Sequence, residues 1–126
     1  MITKIATDGA PGAIGPYVQG VVCGGMLYTS GQIALDPHTG SLTGGDIARQ
    51  TERVMKNLCA ILTQAGCTTE NVVKTTCFLR DMADFAAFNE VYAKYITSAA
   101  RSCVAVRELP MGALVEVEAV AELPEK

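Results

Sequence analysis

The sequence predicts an α+β domain: one mixed sheet with two helices on a single face. Three observations predict it. Residues 46–65 and 84–95 repeat apolar side chains at helical spacing. The other apolar residues alternate with polar ones or run in short blocks bounded by Gly and Pro, as strands do. The resulting order is strands, helix, strand, helix, strand, strand. Each strand–helix–strand step asks for a right-handed parallel crossover, which puts both helices on the same side of the sheet.

Residues 2–6 read as a short edge strand. Ala10-Pro-Gly-Ala-Ile-Gly-Pro-Tyr17-Val-Gln-Gly20 is too rich in Gly and Pro for a helix and stays ordered only where it packs on something. Tyr17 anchors it with a free hydroxyl. Val18–Cys23 and Met26–Leu35 read as strands around a Gly24-Gly25 hairpin turn. Gly31, inside the second of them, marks a close approach of backbone or ligand. Asp36-Pro-His-Thr-Gly40 is a turn, with His38 solvated. Asp46 then caps a helix in which Ile47, Thr51, Val54, Leu58, Ile61 and Ala65 share a face and Gly66 ends the last turn. Glu52 and Lys56 are spaced as an i,i+4 pair on its outer side.

Asn71–Arg80 is apolar on both faces, Val72, Thr76 and Phe78 against Val73, Cys77 and Leu79, as in a central strand. Asp81-Met-Ala-Asp84 opens the second helix, whose stripe is Phe85, Phe88, Val91, Tyr92 and Tyr95, with Asn89 off the stripe. Ala100–Ala119 is two strands around a Pro/Gly connection. Residues 108–113 lack a two-residue hairpin signal, so these strands need not pair directly. Burying Val104 and Val106 on the first, and Val115, Val117 and Ala119 on the second, would set Arg101, Cys103 and Glu116 together on the face away from the helices. A monomer would leave that face bare. A guanidinium fork suits a carboxylate, and a carboxylate beside it can orient or deprotonate a water.

The chain's 126 residues are read as one domain, 1–126, long enough to bury a core without staples. The net charge of −3 argues against nucleic acid or an anionic membrane as partner. No apolar run approaches a membrane span, and the N-terminal residues lack the apolar core expected of a signal peptide. Five cysteines without a Cys-x-x-Cys read as reduced thiols in the cytoplasm. One histidine, no ligand cluster and no nucleotide fingerprint predict that no metal or organic cofactor is used.

Four motifs in order resemble the RidA (YjgF) family: the Tyr17 segment, Thr29-Ser-Gly-Gln-Ile33, the Asp84-Phe…Phe88-Asn89…Tyr92 spacing, and Ala100-Arg-Ser-Cys-Val104 followed by Leu109-Pro110 and Val115-Glu-Val-Glu-Ala119. The resemblance implies a chorismate-mutase-like sheet with the last strand inserted between two earlier ones. It implies a homotrimer closed around a central barrel, with pockets between subunits. The implied activity is hydrolysis of enamines and imines released by pyridoxal-phosphate enzymes, such as 2-iminobutanoate and 2-iminopropanoate, to 2-oxo acid and ammonia. Arg101 would clamp the carboxylate and the Cys103 backbone would lie near the imine nitrogen. Glu116 would hold the attacking water, and Tyr17, Ser30, Gly31 and Asn89 would complete the pocket. With no histidine to activate Cys103, a covalent route is not expected. A non-catalytic binder of 2-oxo acids is the alternative on the same fold. The connection between Tyr95 and Arg101 is shorter than is usual in the family and lacks its proline, which bears on the pocket rim.

Overall fold

The computed structural model describes residues 1–125. Six strands, β1 (Thr3–Ile5), β2 (Gly20–Cys23), β3 (Met26–Thr29), β4 (Val72–Leu79), β5 (Ala100–Ala105) and β6 (Val115–Glu122), form one sheet in the order β1-β2-β3-β6-β4-β5. Two helices, α1 (Ile47–Gln64) and α2 (Phe85–Tyr92), connect β3 to β4 and β4 to β5. The final strand does enter between two earlier ones. β6 runs antiparallel to both β3 and β4, and β4 pairs parallel with β5. β5 and β6 do not pair with each other, in keeping with the missing hairpin signal.

Local chemistry accounts for the elements. Gly24 and Gly25 both have positive φ, which a two-residue turn twisted to match its strands requires. The Asp46 carboxylate accepts the Arg49 N–H at 3.0 Å at the start of α1, and Gly66 at φ +85° follows its last turn. Val54, Leu58, Ile61 and Leu62 of α1 and Phe88 of α2 are buried, as are Val115, Val117, Ala119 and Ala121 of β6. Each large side chain so buried contributes about 1.5–3 kcal/mol.

Several details of the elements differ from the sequence reading, the second helix among them, which ends at Tyr92. The second strand begins at Gly20, because Val18 and Gln19 belong to the segment that crosses to Ser30. The third ends at Thr29. From Tyr28↔Val120 to Gln32↔Val117 the chain takes four steps against three on β6, so Thr29–Gly31 bulges out of the sheet. A second irregularity, between Val72 and Lys74 of β4, turns Val72 inward and leaves Val73 exposed, reversing their expected faces. Glu52 meets Lys94, beyond α2, at 3.9 Å rather than Lys56, tying the two helices together.

Deleting the Leu58 side chain removes packing that nothing else can supply. Leu58→Ala is expected to lower stability by about 2–5 kcal/mol, whereas Asp46→Ala, which loses only a cap, is expected to cost about 1 kcal/mol. Urea unfolding of both variants checks the ranking, and an equal cost would contradict it.

Candidate active site

The bulge after β3 builds the first group of predicted site residues. Ser30 leaves the sheet and is tied to the segment ahead of β2: its N–H donates to the Gln19 carbonyl at 2.9 Å and its hydroxyl to the Val18 carbonyl at 2.6 Å. The Thr29 hydroxyl accepts the Ala119 N–H at 3.0 Å, replacing a lost ladder bond. Gly31 then lies against Glu116 so closely that a Cβ at position 31 would fall inside the Glu116 carboxylate. Tyr17, Ser30, Gly31 and Glu116 together line a cavity of about 270 Å³ whose apolar wall includes Ile14, Ile33 and Leu35. The Tyr17 hydroxyl accepts the Ile14 N–H at 3.2 Å, so its own proton remains available to donate.

Glu116 is half-buried on the face of the sheet away from the helices, opposite Phe78 of β4. Burial pushes its carboxyl above the ordinary range, and the Glu118 charge adds to the shift. Among the described residues no cation pairs with it.

The second group surrounds Arg101. Phe85, Phe88, Asn89 and Tyr92 recur at helical spacing along one side of α2, and all four meet the guanidinium. Its carbon lies 4.9 Å from the Tyr92 ring centre, 5.5 Å from Phe85 and 5.8 Å from Phe88, within cation–π range of each. Arg101 Nη1 donates to Asn89 Oδ1 at 2.8 Å. Asn89, expected off the apolar stripe, thus sits amid the aromatic residues. Among the described residues no carboxylate pairs with Arg101, so most of its five N–H donors remain for a ligand. Cys103 lies on the same face. Burial pushes its thiol up against the opposing pull of Arg101, which keeps it protonated near neutrality.

The structure corrects one expectation. Arg101 and Cys103 do not share a face with Glu116. Arg101 is level with Thr75, and Thr75 with Ala119; Cys103 is level with Cys77, and Cys77 with Val117. These all face the helices, whereas Glu116 and Phe78 face away. The expected parity assumed that Val104 is buried, but β5 is an outer strand covered only by α2, and Val104 is 48% exposed. The seven predicted residues therefore divide into Tyr17, Ser30, Gly31 and Glu116 on one side and Asn89, Arg101 and Cys103 on the other.

The sequence reading missed the buried amides that support the cavity. Gln19 accepts the Thr7 N–H at 2.7 Å and donates to the carbonyls of Thr7 and Pro11 at 3.0 and 2.9 Å, pinning the Gly/Pro segment. Asn57 donates to the Ile33 and Leu35 carbonyls, and Gln50 accepts the Leu114 N–H. The available signal was a polar residue on the otherwise apolar side of α1. His38 is exposed in its turn, where the Asp36 carboxylate accepts the His38 and Thr39 N–H groups. Among the described residues, no three His, Cys, Asp or Glu side chains cluster to hold a metal, and no helix is long and apolar enough to cross a membrane.

Comparison with known proteins places the chain in a family. The chain is 52% identical to a RutC family protein of Synechocystis sp., covering 95% of both. It is 50% identical to a Lactococcus lactis protein named for a regulatory role, AldR, covering 94% of this chain and 96% of that one. It is 47% identical to the human 2-iminobutanoate/2-iminopropanoate deaminase, covering 93% and 87%. Its fold superposes on Escherichia coli TdcF, crystallised with bound serine, with a TM-score of 0.92 at 42% identity, covering 97% and 99%. Residues 7–123 match the family model described as Endoribonuclease L-PSP, and the chain belongs to that family, the RidA/YjgF family.

Proposed function

We propose that the protein is a hydrolytic deaminase of 2-imino acids such as 2-iminobutanoate and 2-iminopropanoate. It works as a homotrimer in which the Arg101 group of one subunit closes on the Glu116 group of the next. One observation carries this reading: the two groups are chemically complementary and each is incomplete. Among the described residues, Arg101 offers a fork with no carboxylate partner, and Glu116 is a half-buried carboxylate with no cation partner. Within one subunit the sheet separates them, so only a second copy can bring them together. The uncovered sheet face, with Tyr28 and Val104 exposed on it, supplies apolar area for that contact.

In the joined site Arg101 takes the substrate carboxylate in two charge-assisted hydrogen bonds. Glu116 removes a proton as water adds to the C=N carbon. The tetrahedral adduct then takes a proton on nitrogen and expels ammonia, leaving the 2-oxo acid. The balance is imine plus water to ketone plus ammonia, with no redox step. Ile14, Ile33 and Leu35 suit a short aliphatic substituent. The protonated Cys103 is not the nucleophile. RNA is a poor fit, since its phosphates would meet Glu116 and Glu118 on a chain of net charge −3. A non-catalytic binder of 2-oxo acids is the second reading, favoured by the regulatory name of the Lactococcus relative.

Sedimentation is expected to show a trimer at micromolar concentration, and a stable monomer would remove the shared site. With a dehydratase generating the imine, the protein is expected to speed ammonia release; binding of 2-oxobutanoate without turnover would favour the second reading. Arg101→Lys is expected to lower kcat/KM at least about tenfold, since lysine cannot reproduce the fork. Glu116→Gln is expected to lose about a hundred- to ten-thousand-fold in kcat while still binding 2-oxobutanoate. Parent-level turnover in Glu116→Gln would refute its role as base.

The pH dependence has a defined sign. The base must be ionised, and burial raises its pKa, so kcat falls as pH drops through a point above the ordinary carboxylate range. Bound substrate neutralises Arg101, so the guanidinium does not offset the shift. The acid limb of the kcat profile is expected to lie above that range and to vanish in Glu116→Gln.

A further inference from the structure

Thr75 and Tyr92 make a contact that neither packing nor the proposed chemistry requires. Thr75 is fully buried in β4, level with Arg101 on the next strand. Its hydroxyl lies 2.7 Å from that of Tyr92, also buried, at the end of α2. Among the described residues, the only other partner of the Thr75 hydroxyl is the weak donor Cys77 Sγ at 3.9 Å. Valine would suit the strand as well as threonine, and phenylalanine would fill the same space as tyrosine. Replacing both hydroxyls by apolar groups of the same shape would be close to neutral for stability. Their presence calls for another explanation, and the Tyr92 ring supplies it: of the three rings on the Arg101 guanidinium it is the nearest, at 4.9 Å.

We propose that Thr75 and Tyr92 are a positioning pair that sets the plane of the Arg101 guanidinium and thereby selects substrates bearing a carboxylate beside the C=N carbon. This rests on the reading of Arg101 given above. The hydroxyl contact holds the far end of the Tyr92 ring in place against the guanidinium, and the ring with Phe85, Phe88 and Asn89 stops the guanidinium from turning. A bidentate grip on a carboxylate needs both N–H vectors in the carboxylate plane at once, so a fork free to rotate loses its second bond for part of the time. Burial holds the Tyr92 phenol protonated, which keeps the ring a neutral platform. Neither residue touches the substrate; both act through Arg101.

The test uses the full-length protein and two readouts. In nitrogen-15 spectra of the arginine side chains, assigned by loss of the signal in Arg101→Lys, the parent is expected to show resolved, slowly exchanging Arg101 Nη signals. Thr75→Val and Tyr92→Phe are expected to merge them, and Thr75→Ser, which keeps the hydroxyl, to restore them. In kinetics, Thr75→Val and Tyr92→Phe are expected to raise KM for 2-iminobutanoate about three- to tenfold, as for one weakened hydrogen bond to a charged group, with a smaller change in kcat. The corresponding imino amide, which has no carboxylate, is expected to show no such change. Thr75→Val and Tyr92→Phe proteins with parent Nη signals and parent KM would overturn the positioning role, as would equal effects on acid and amide. If the parent neither hydrolyses the imine nor binds 2-oxobutanoate, the deaminase reading fails on its own, and the Nη signals still decide the positioning role.

Discussion

The alternation along β6 is the constraint on which the rest of the structure depends. β6 lies between β3 and β4, so its parity is imposed on both neighbours and, through β4, on β5. Val115, Val117, Ala119 and Ala121 face the helices, and Glu116 must therefore face away. A one-residue slip would put Glu116 beneath α1 and expose all four apolar residues. At about 1.5–3 kcal/mol for each of the two valines, before the alanines and the buried charge are counted, such a slip would remove much of a domain's usual net stability of about 5–15 kcal/mol. The same parity carries Thr75 and Arg101 to the helix side. The opposed placement of the two charged residues is thus a consequence of the core.

The cavity comes from a local escape from that regularity. Where β3 bulges at Thr29–Gly31, backbone leaves the ladder and its polar groups need other partners. Ser30 finds them in the Val18 and Gln19 carbonyls and the Thr29 hydroxyl takes the Ala119 N–H, while the amides of Gln19, Gln50 and Asn57 satisfy backbone of the neighbouring loops at Pro11, Leu114 and Leu35. The apolar core holds the sheet, while a layer of buried amides holds the loops that line the cavity. Gly31 is the point where the two meet: it has no side chain because the Glu116 carboxylate occupies the space.

Much of this was open to inference from the residues. The two helices, the Asp46 cap, the glycine hairpin and the order of elements follow from periodicity and turn chemistry, which are local. The insertion of β6 came only from family resemblance, because strand pairing across the chain leaves no local mark. The side of β5 that faces the helices was misjudged for a related reason. Cys103 and Ala105 are nearly as apolar as Val104, and which row is covered depends on where α2 lies, a tertiary fact. Val72 and Val73 exchanged faces because a bulge shifts parity without any distinctive residue to announce it. Gln19 looks like an ordinary loop residue until its three backbone partners are seen together.

The sheet between Arg101 and Glu116 decides the electrostatics of both. An arginine beside a carboxylate in the same subunit would form an ion pair, and a substrate would then have to break it to bind. Here three aromatic rings and one amide stabilise the guanidinium without neutralising it, because a ring face and an amide oxygen carry no net charge. On the other face, burial and Glu118 raise the energy of the ionised Glu116, with no cation among the described residues to relieve it. Each group is left less satisfied than an ion pair would be, and the sheet between them prevents that pairing within a subunit. The parity that buries the valines of β6 thereby keeps a guanidinium and a half-buried carboxylate on opposite faces of the sheet, where neither can neutralise the other.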